Sequence, residues 1–432
     1  MPPPPIAPRY MSRFRCIADR CEDTCCGGLS IVMKEKDWAR VKEVAQQAGL
    51  EGVPETLDST ANGFELPKRK DGFCVFLDTQ KMCGLQKANG ESVMPPVCVT
   101  YPRYVTRWGD QLKLGAGSFG CPEVARLALL DADAMDTVEV PIEQVFRAES
   151  AWKAPTDNPD DGWYFHASKV SDTIQRVLKR KEVPLSMRLF SLGELAARVT
   201  PFYFNGTRSF QGEGRDAALT RLLKALQDAG SPESLEGARQ SLDPQPLPGE
   251  LYAEMYLGLL QGRLASTSAE RFHTLVRDVL QGYGGAGTPH AQAWTLYLQR
   301  REKLEPVIGA RMRQYFSHHA INHFEYESFL FMPNLFIDVF RLILLGGMLR
   351  WVLLGHPDVV RLCEEPASSE AEARERVDRA AVECFQIICR YMDMWSDLLM
   401  LTKGLAQQGI AEALGQMTML LKGYADPLPR AA

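Results

Sequence analysis

Cysteine placement is the sequence feature that most restricts how this chain can fold. Eight of its eleven cysteines lie within the first 121 of 432 residues, and the next cysteine is Cys363. Thiols that converge from several segments either oxidise to disulfides or bind a soft metal. The pattern therefore predicts a metal site or a disulfide framework rather than ordinary core packing. The eight candidate ligands are Cys16, Cys21, Cys25, Cys26, Cys74, Cys83, Cys98 and Cys121.

The cellular compartment decides between disulfides and metal. The first 15 residues contain four consecutive prolines and three arginines, but they lack the apolar core and cleavage site of a signal peptide. The most apolar stretch, residues 335–354, is interrupted by Asp338, Arg341 and Arg350, so no membrane span is expected. We therefore expect a cytoplasmic protein whose reduced thiols bind metal, with disulfides as the alternative.

Cysteine spacing does not identify the metal. Zinc sites usually contain C-x2-C pairs, and this chain has none. The ferredoxin runs are also absent, although Cys16 and Cys21 have the C-x4-C spacing of the plant type. Eight thiolates can supply one four-cysteine site with spares, or two separate sites. The adjacent Cys25 and Cys26 do not easily bind one ion together.

The last of these cysteines has an informative setting. Pro122 suits the first turn of a helix, and the residues from Val124 to Ala132 have helical periodicity. Cys121 is therefore expected at a helix N-terminus. The helix dipole favours the thiolate there, and hence favours ligation.

Taken together, the cysteines and their flanking residues resemble the flagellin lysine-N-methylases. These in turn are similar to a wider class of bacterial cysteine-cluster proteins described as iron- or zinc-chelating. The resemblance is dense over residues 10–130. It is carried by Cys16, Cys21, Cys25-Cys26-Gly27-Gly28, Cys74-Val75-Phe76-Leu77-Asp78, Cys83 with Gln86, Cys98, Tyr101-Pro102-Arg103 and Cys121-Pro122-Glu123.

The resemblance implies a reaction and its cofactors. A methyl group would pass from S-adenosylmethionine to the ε-amino group of a lysine on flagellin or on another lysine-bearing surface protein. The implied cofactor is an iron–sulfur cluster of the 4Fe-4S kind, with zinc as the alternative.

Beyond residue 150 the sequence predicts helices and few strands. Apolar residues recur at three- and four-residue spacing, and Thr267 and Ser369 each begin a capping-box pattern. We expect a mainly α protein, with a cysteine-rich, loop-rich metal-binding module at residues 1–153 and an α-helical domain at residues 162–432. The predicted helices cover residues 163–179, 185–199, 216–229, 251–264, 270–280, 291–303, 307–323, 335–354, 370–401 and 410–421.

No conventional methyl-donor site can be found in the sequence. Gly282, Gly284 and Gly287 have the G-x-G-x-x-G spacing of a dinucleotide site, but helical patterns surround them where a strand should precede. They therefore predict a loop between two helices. The C-x3-C-x2-C triad of radical S-adenosylmethionine enzymes is also missing. Any donor site must be unconventional.

Candidate catalytic residues come from one aromatic-rich segment, residues 315–329. His319 and His323 are four residues apart and share a helix face, and Glu325 follows them. Such a histidine pair is more often a surface or satisfied pair. Lysine methylation nevertheless needs a proton acceptor and aromatic faces for the ammonium ion, so we expect this segment to line the substrate site. Three distal cysteines, Cys363, Cys384 and Cys389, are expected to be core residues.

Charge excludes one class of partner, and two functions stay open. The net charge of −5 leaves no basic region suited to nucleic acid.

The first function is a cluster-dependent protein lysine N-methyltransferase. The second is a non-catalytic metal-binding protein, in which an iron–sulfur or zinc centre joins the N-terminal module to a helical partner-binding body.

Overall fold

Helices form most of the part of the chain that this computed structural model describes. That part comprises residues 2–27, 29–60, 63–145, 148, 151–154, 166–199, 215–242, 249–285, 287–326, 334–393, 395–407 and 409–424. The prediction of a mainly α protein is confirmed. The helices are α1 (Arg9–Arg13), α2 (Glu35–Gln47), α3 (Gly84–Asn89), α4 (Pro96–Thr100), α5 (Pro122–Leu130), α6 (Ala167–Leu178), α7 (Leu185–Val199), α8 (Arg215–Asp228), α9 (Pro232–Leu242), α10 (Gly249–Ser266), α11 (Glu270–Gly282), α12 (His290–Glu325), α13 (Leu335–Gly355), α14 (Pro357–Glu364), α15 (Glu370–Tyr391), α16 (Ser396–Gln407) and α17 (Ile410–Tyr424).

Two small sheets, which the sequence analysis did not predict, organise the N-terminal region. One has five strands in the order β7-β1-β6-β5-β8, and the other has three in the order β2-β4-β3, for the strands β1 (Ile6–Pro8), β2 (Val32–Met33), β3 (Asp58–Thr60), β4 (Gly63–Glu65), β5 (Val105–Trp108), β6 (Gln111–Leu114), β7 (Thr137–Glu139) and β8 (Trp152–Lys153). Strand β1 pairs in parallel with β6 and antiparallel with β7. The strands are short, so the periodicity that marks a longer strand is absent from the sequence.

The described residues pack into two hydrophobic cores. The larger core combines β1, β6 and α5 with the helices after residue 166. The smaller core lies between residues 31 and 85 and includes Trp38, Val41, Cys74 and Phe76. The predicted domain boundary falls mostly on residues 155–165, which lie outside the described residues, so it stays a prediction.

In two places the predicted division of the chain into helices was wrong. The two helices expected at residues 291–303 and 307–323 form the single 36-residue helix α12, which continues through Pro306. Leu304 and Ile308 are both buried, so packing on each side of the proline favours continuation. The long helix expected at residues 370–401 is instead two helices, α15 and α16. Helices α9 and α14 were not predicted.

Helix starts agree with most of the sequence signals. Helix α5 begins directly after Cys121, as predicted. Ser369 caps α15, where its hydroxyl accepts a hydrogen bond from the Glu372 N–H at 3.2 Å. The capping box expected at Thr267 was wrong, because its hydroxyl accepts from the Ala269 N–H at 3.3 Å and the helix begins one residue later.

Helix α13 contains the most apolar stretch of the sequence, residues 335–354. No helix within the described ranges is long and apolar enough to cross a membrane. The charged residues of α13 are Asp338, Arg341 and Arg350, and all three are buried inside the protein. Residues 283–285 and 287–289 lie between α11 and α12 and are not helical, which confirms the prediction of a loop between helices.

Candidate active site

A cavity of about 950 Å³ lies between the N-terminal loops and one end of helices α12, α13 and α15. This volume is at the upper end of the range for small-molecule sites, about 300–1,000 Å³. Its N-terminal wall includes Cys25, Tyr101 and Phe119. The helical wall includes His319, Asn322, His323, Tyr326, Arg341, Cys389, Arg390, Tyr391 and Asp393. The two regions that the sequence singled out for metal and for substrate therefore face the same space.

A chain of polar contacts begins at His323 and leads into the helical body. The Nε2 atom of His323 lies 3.0 Å from Oδ1 of Asp338, and Nη2 of Arg341 lies 2.8 Å from the same oxygen. The other Nη of Arg341 contacts the carboxylate of Asp393 at 2.8 Å. Burial raises the pKa of Asp338, but its contacts with His323 and Arg341 outweigh burial and hold that pKa below its ordinary value. Asp338 is therefore a fully buried carboxylate that fixes the His323 ring.

His319 occupies a different environment on the same helix. Its ring packs edge-on against Phe119 and Phe385, with ring centroids 5.5 and 5.4 Å away. Burial, with the nearby Arg341 guanidinium acting in the same direction, lowers the pKa of His319 to about 3. The imidazole is therefore neutral near pH 7, with Nε2 lying 3.7 Å from the thiol of Cys389.

Asn322, which lies between the two histidines, is held by the N-terminal region. The hydroxyl of Tyr10 donates to its side-chain oxygen, and its amide nitrogen donates to the carbonyl of Gly117 at 3.1 Å. The Gly117 N–H in turn donates to the Tyr10 hydroxyl at 2.6 Å. These contacts join α1 and the segment after β6 to the end of α12, so the cavity walls have a fixed relative position.

Glu325, the third candidate from the sequence, lies apart from the residues that line the cavity. Its carboxylate contacts Lys113 at 2.9 Å and Lys179 at 3.3 Å. Burial raises the pKa of Glu325, but these two lysines reverse that effect and lower it. Its backbone carbonyl also accepts from the Ala116 N–H at 3.3 Å. The ion pairs of Glu325 therefore connect the end of α12 to Lys113 on the five-stranded sheet and to Lys179, which follows α6. Residues 327–329, the end of the candidate segment, lie outside the described residues.

Aromatic rings surround much of the cavity. Tyr326 stacks on Tyr104 with ring centroids 5.1 Å apart, and Tyr391 lies 5.6 Å from Phe272. Burial raises the pKa of Tyr326 and of Tyr391, so both phenols stay neutral near pH 7. Neutral rings of this kind can hold a cation against their faces.

Two residues of α15 attach the helical body to the thiol loop at residues 21–26. Arg390 donates from Nη1 to the carbonyl of Asp23 at 3.0 Å and from Nη2 to that of Thr24 at 2.9 Å. The buried Gln386 amide donates to the Asp23 carboxylate at 2.9 Å and to the Gly120 carbonyl at 3.1 Å. These contacts fix the loop at the edge of the cavity.

Four cysteines lie around the smaller core, and we call them the core-side set: Cys26, Cys74, Cys83 and Cys98. Cys74 is part of that core and the other three pack against it. Burial, followed by the charges of Cys74, Cys83 and Cys26, raises the pKa of Cys98. Burial likewise raises the pKa of Cys74 to about 12.

The other four N-terminal cysteines are Cys16, Cys21, Cys25 and Cys121. Cys25 lines the cavity and Cys121 packs against the larger core. Burial raises the pKa of Cys121 to about 11, and the charges of Cys21 and Cys16 act in the same direction. The Cys25 thiol donates a hydrogen bond to Cys26 and thereby lowers the pKa of Cys26.

The eight sulfur atoms form no closed coordination sphere in the part of the chain that the structure describes. All eleven cysteines are free thiols. Among the residues described, no three His, Cys, Asp or Glu side chains converge closely enough to surround one ion. The donor chemistry still suits a soft metal, because buried thiols with raised pKa values gain from a nearby cation that stabilises the thiolate.

Comparisons with known proteins agree with the motif resemblance. A Lysine-N-methylase of Salmonella typhimurium is 28% identical over 146 residues, which cover 32% of this chain and 35% of that protein. Part of this chain resembles the lysine-N-methylases. The Flagellar biosynthetic protein FliU of Salmonella muenchen is 28% identical over 137 residues, which cover 30% of this chain and 78% of FliU.

The extent of this similarity is limited. This chain matches about a third of the length of the Salmonella lysine-N-methylases, 35% for those of both S. typhimurium and S. choleraesuis. No protein-family model and no solved structure matches the chain. The resemblance to the methylases is confirmed for part of the chain, and the activity of the whole protein is a matter for proposal.

Sequence analysis missed several residues that line the cavity or support it. Asp338 and Arg341 were counted only as interruptions of an apolar stretch, although a buried ion pair in such a stretch is itself a signal of a functional site. Cys389 was expected to be a core residue, and it does pack against the larger core while also lining the cavity. Nothing in the sequence marks Arg390 or Gln386, because their partners are more than 260 residues away.

Proposed function

We propose that this protein is a lysine N-methyltransferase. It transfers a methyl group from S-adenosylmethionine to the ε-amine of a lysine on flagellin or on another lysine-bearing surface protein. A cytoplasmic location, where thiols stay reduced, is part of the proposal. The observation that carries it is His323, which faces the cavity while its Nε2 contacts the buried carboxylate of Asp338 at 3.0 Å.

The reaction needs a proton acceptor at the lysine. Lysine reaches the cavity as an ammonium ion, and its nitrogen must lose a proton before its electron pair can attack. The bond from sulfur to the methyl carbon then breaks, its electron pair stays on sulfur, and a bond from nitrogen to carbon forms. His323 supports this step, since an Nε2–H donor to Asp338 leaves the Nδ1 electron pair to take the ammonium proton.

The cavity also suits the two reactants. Its aromatic wall, including Tyr326 and Tyr391, can hold the lysine ammonium and the donor sulfonium against neutral rings. The guanidinium groups of Arg263 and Arg271 lie on the same lining, where they can bind the carboxylate of the methyl donor. A volume of about 950 Å³ accommodates a nucleoside and a lysyl side chain together.

The N-terminal thiols are the proposed ligands of an iron–sulfur cluster, with zinc as the alternative. Their free state supports soft-metal binding. When bound, such a cluster supplies single-electron transfer and cross-links the loops that carry its ligands. Cys25 lies on the cavity wall, so the loop held by Arg390 connects ligand binding at the thiols to the shape of the cavity.

Methyl transfer can be measured directly. Anaerobically purified protein is incubated with methyl-labelled S-adenosylmethionine and flagellin, and labelled lysine is quantified. We expect transfer by the wild type and a rate lower by roughly 10²–10⁴-fold for His323→Gln, because a positioned base contributes about that much. His290→Gln changes an exposed histidine at the other end of α12 and serves as the control. Absence of transfer by metal-loaded wild-type protein would remove the proposal.

One observation favours a second candidate, the non-catalytic metal-binding protein. Arg390 and Gln386 already join the thiol loop to the helical body through hydrogen bonds, so metal binding has a structural consequence without any reaction. Under this function, metal-loaded protein binds flagellin or another protein but transfers no label, and removal of the metal weakens that binding.

A further inference from the structure

We propose that Asp393, Tyr326 and His323 form a subsite that binds the side-chain ammonium group of the substrate lysine. All three residues line the cavity. Asp393 supplies a negative charge, Tyr326 an aromatic face and His323 the proton acceptor. The inference rests on the proposed function in taking lysine as the occupant, and it adds that Asp393 decides the preference of this subsite for a cation.

Asp393 is joined to the buried Asp338 through a single guanidinium group. Nη1 of Arg341 donates to Oδ1 of Asp393 at 2.8 Å, and Nη2 donates to Oδ1 of Asp338 at 2.8 Å. The Arg341 side chain is 1% exposed and that of Asp338 is fully buried, whereas that of Asp393 is 31% exposed. Asp393 is therefore the member of this ion-paired group that is most accessible to a ligand.

The charges of this ion-paired group do not cancel. In the part of the chain that the structure describes, two carboxylates, Asp338 and Asp393, share the guanidinium of Arg341. Their sum is one negative charge when the His323 ring is neutral, as a proton acceptor must be. Burial keeps two other titratable neighbours neutral near pH 7, namely His319 and Cys389. A partly buried negative charge that has lost water gains from a bound cation.

Tyr326 provides an aromatic surface close to this negative charge. Burial raises the pKa of its phenol, and the charge of Asp393 acts in the same direction, so the two side chains lie within electrostatic range of each other. The Tyr326 ring also stacks on Tyr104, with ring centroids 5.1 Å apart, which fixes its orientation. A cation beside Asp393 can therefore also contact the face of a neutral ring.

His323 completes the subsite with a ring nitrogen that can take a proton. Within the described residues, every hydrogen bond of its ring is made through Nε2, and its side chain is only 5% exposed. The ammonium proton passes to Nδ1, which leaves a neutral amine and an imidazolium. The bound ammonium and the ion-paired group carry no net charge together before this step, and the imidazolium and the same group carry none after it. Proton transfer therefore adds no net charge to the partly buried subsite.

Two small ligands that differ only in the ammonium group give a direct test. The first is N-acetyl-lysine amide, whose only charge is on the side chain. The second is N-acetyl-norleucine amide, which has the same four-carbon chain without the ammonium group. Their dissociation constants are measured by titration calorimetry with the full-length, metal-loaded protein. S-adenosylhomocysteine is titrated in parallel, since it also carries an ammonium group but belongs to the methyl donor.

The deciding variant is Asp393→Asn, which removes the charge and keeps an oxygen that can accept from Arg341. We expect the wild type to bind the lysine derivative at least about tenfold more tightly than the norleucine derivative, as for a charge-assisted contact. Asp393→Asn should bind the two equally and should bind S-adenosylhomocysteine like the wild type. Asp110→Asn is the control, because Asp110 is exposed in the turn between β5 and β6.

Three results would overturn the subsite. They are equal binding of the two derivatives by the wild type, an unchanged preference in Asp393→Asn, and a loss in that variant of affinity for S-adenosylhomocysteine instead of lysine. If circular dichroism shows that Asp393→Asn does not fold, hydrogen–deuterium exchange of the wild type decides. The lysine derivative alone should then slow exchange in residues 322–326 and 389–393, and protection confined to other segments would overturn the subsite.

These readouts are independent of methyl transfer. A protein that prefers the lysine derivative but transfers no methyl group would keep the subsite and lose the proposed reaction. A protein that transfers methyl groups without this preference would keep the reaction and lose the subsite.

Discussion

The guanidinium group of Arg390 donates a hydrogen bond to the backbone carbonyl of Thr24 at 2.9 Å. Thr24 directly precedes Cys25, while Arg390 is near the end of α15. The last turn of a helix in the body therefore holds the loop that carries a candidate metal ligand. Changes at the thiols and changes in the cavity are mechanically connected through this contact.

Removal of this contact should loosen the thiol loop. In Arg390→Ala, hydrogen bonds to the carbonyls of Asp23 and Thr24 are lost, and such charge-assisted bonds contribute about 1.5–3 kcal/mol each. We expect at least a tenfold faster amide exchange in residues 22–27 and faster metal release to a chelator. Arg374→Ala changes an exposed arginine on the same helix and should change neither. Equal exchange in the two variants would contradict the role of Arg390.

Asp338 should contribute to the stability of the fold as well as to the candidate active site. Its carboxylate is fully buried and contacts both His323 and Arg341. Asp338→Ala leaves the buried Arg341 with less compensation, so we expect the free energy of unfolding to fall by about 3–5 kcal/mol in urea denaturation. The matched surface change is Asp133→Ala, which removes exposed ion pairs with Arg9 and Arg13 and should cost at most about 1 kcal/mol. Similar losses for both variants would contradict the account.

Stability should decrease on mild acidification. Burial lowers the pKa of His318 to about 4 and that of His319 to about 3, from an ordinary value of 6.5. Both rings stay neutral in the folded state while the unfolded chain takes up protons. The stability that the two neutral histidines contribute is therefore complete above pH 6.5 and is lost as pH falls toward 3–4. The free energy of unfolding changes by roughly 1.4 kcal/mol per pH unit for each proton that the unfolded chain takes up.

The measurement is the free energy of unfolding between pH 7 and pH 5. Asp338 and Glu325 also have lowered pKa values, but their ordinary values lie below this range. His319→Gln should reduce the slope of the unfolding free energy against pH by about half, whereas His290→Gln should leave this slope unchanged. A slope that His319→Gln does not alter would contradict the buried, neutral state of this histidine.

Gly115 should tolerate no side chain. A Cβ atom there would lie 2.9 Å from the backbone carbonyl oxygen of Glu325 and 3.2 Å from that of Tyr104. Gly115→Ala should therefore displace the end of α12 and lower the free energy of unfolding by about 1–3 kcal/mol. Gly237→Ala places a methyl group in open space on α9 and should stabilise by roughly 0.5–1 kcal/mol. Thermal unfolding should therefore show a lower melting temperature than the wild type for Gly115→Ala and a higher one for Gly237→Ala.

Local sequence signals predicted much of the helical body. The spacing of apolar residues placed α7 at residues 185–199, the same bounds that the structure has. Helix α12 was divided wrongly at Pro306, because a sequence window weighs the lost hydrogen bond and cannot see the packing of Leu304 and Ile308. The short strands were missed because two to four residues carry no detectable alternation.

The candidate site was only partly predictable. His319 and His323 were found because two histidines and several aromatic residues occur in one short segment. Glu325 belonged to the same segment, yet two lysines from distant elements hold it in an ion pair. Asp338 and Arg390 depend on contacts between segments far apart in sequence. Such contacts are decided by tertiary packing, which a single sequence does not display.

The most direct test of the central proposal is hydrogen–deuterium exchange of the metal-loaded protein with and without S-adenosylhomocysteine. If the methyl donor binds in the cavity, peptides containing residues 22–27, 117–120, 263–271, 319–326 and 389–393 should exchange more slowly with the ligand, since these segments line it. The rest of the helical body should be unchanged. Unaltered exchange at saturating ligand, or protection confined to other segments, would contradict the assignment of this cavity as the methyl-transfer site.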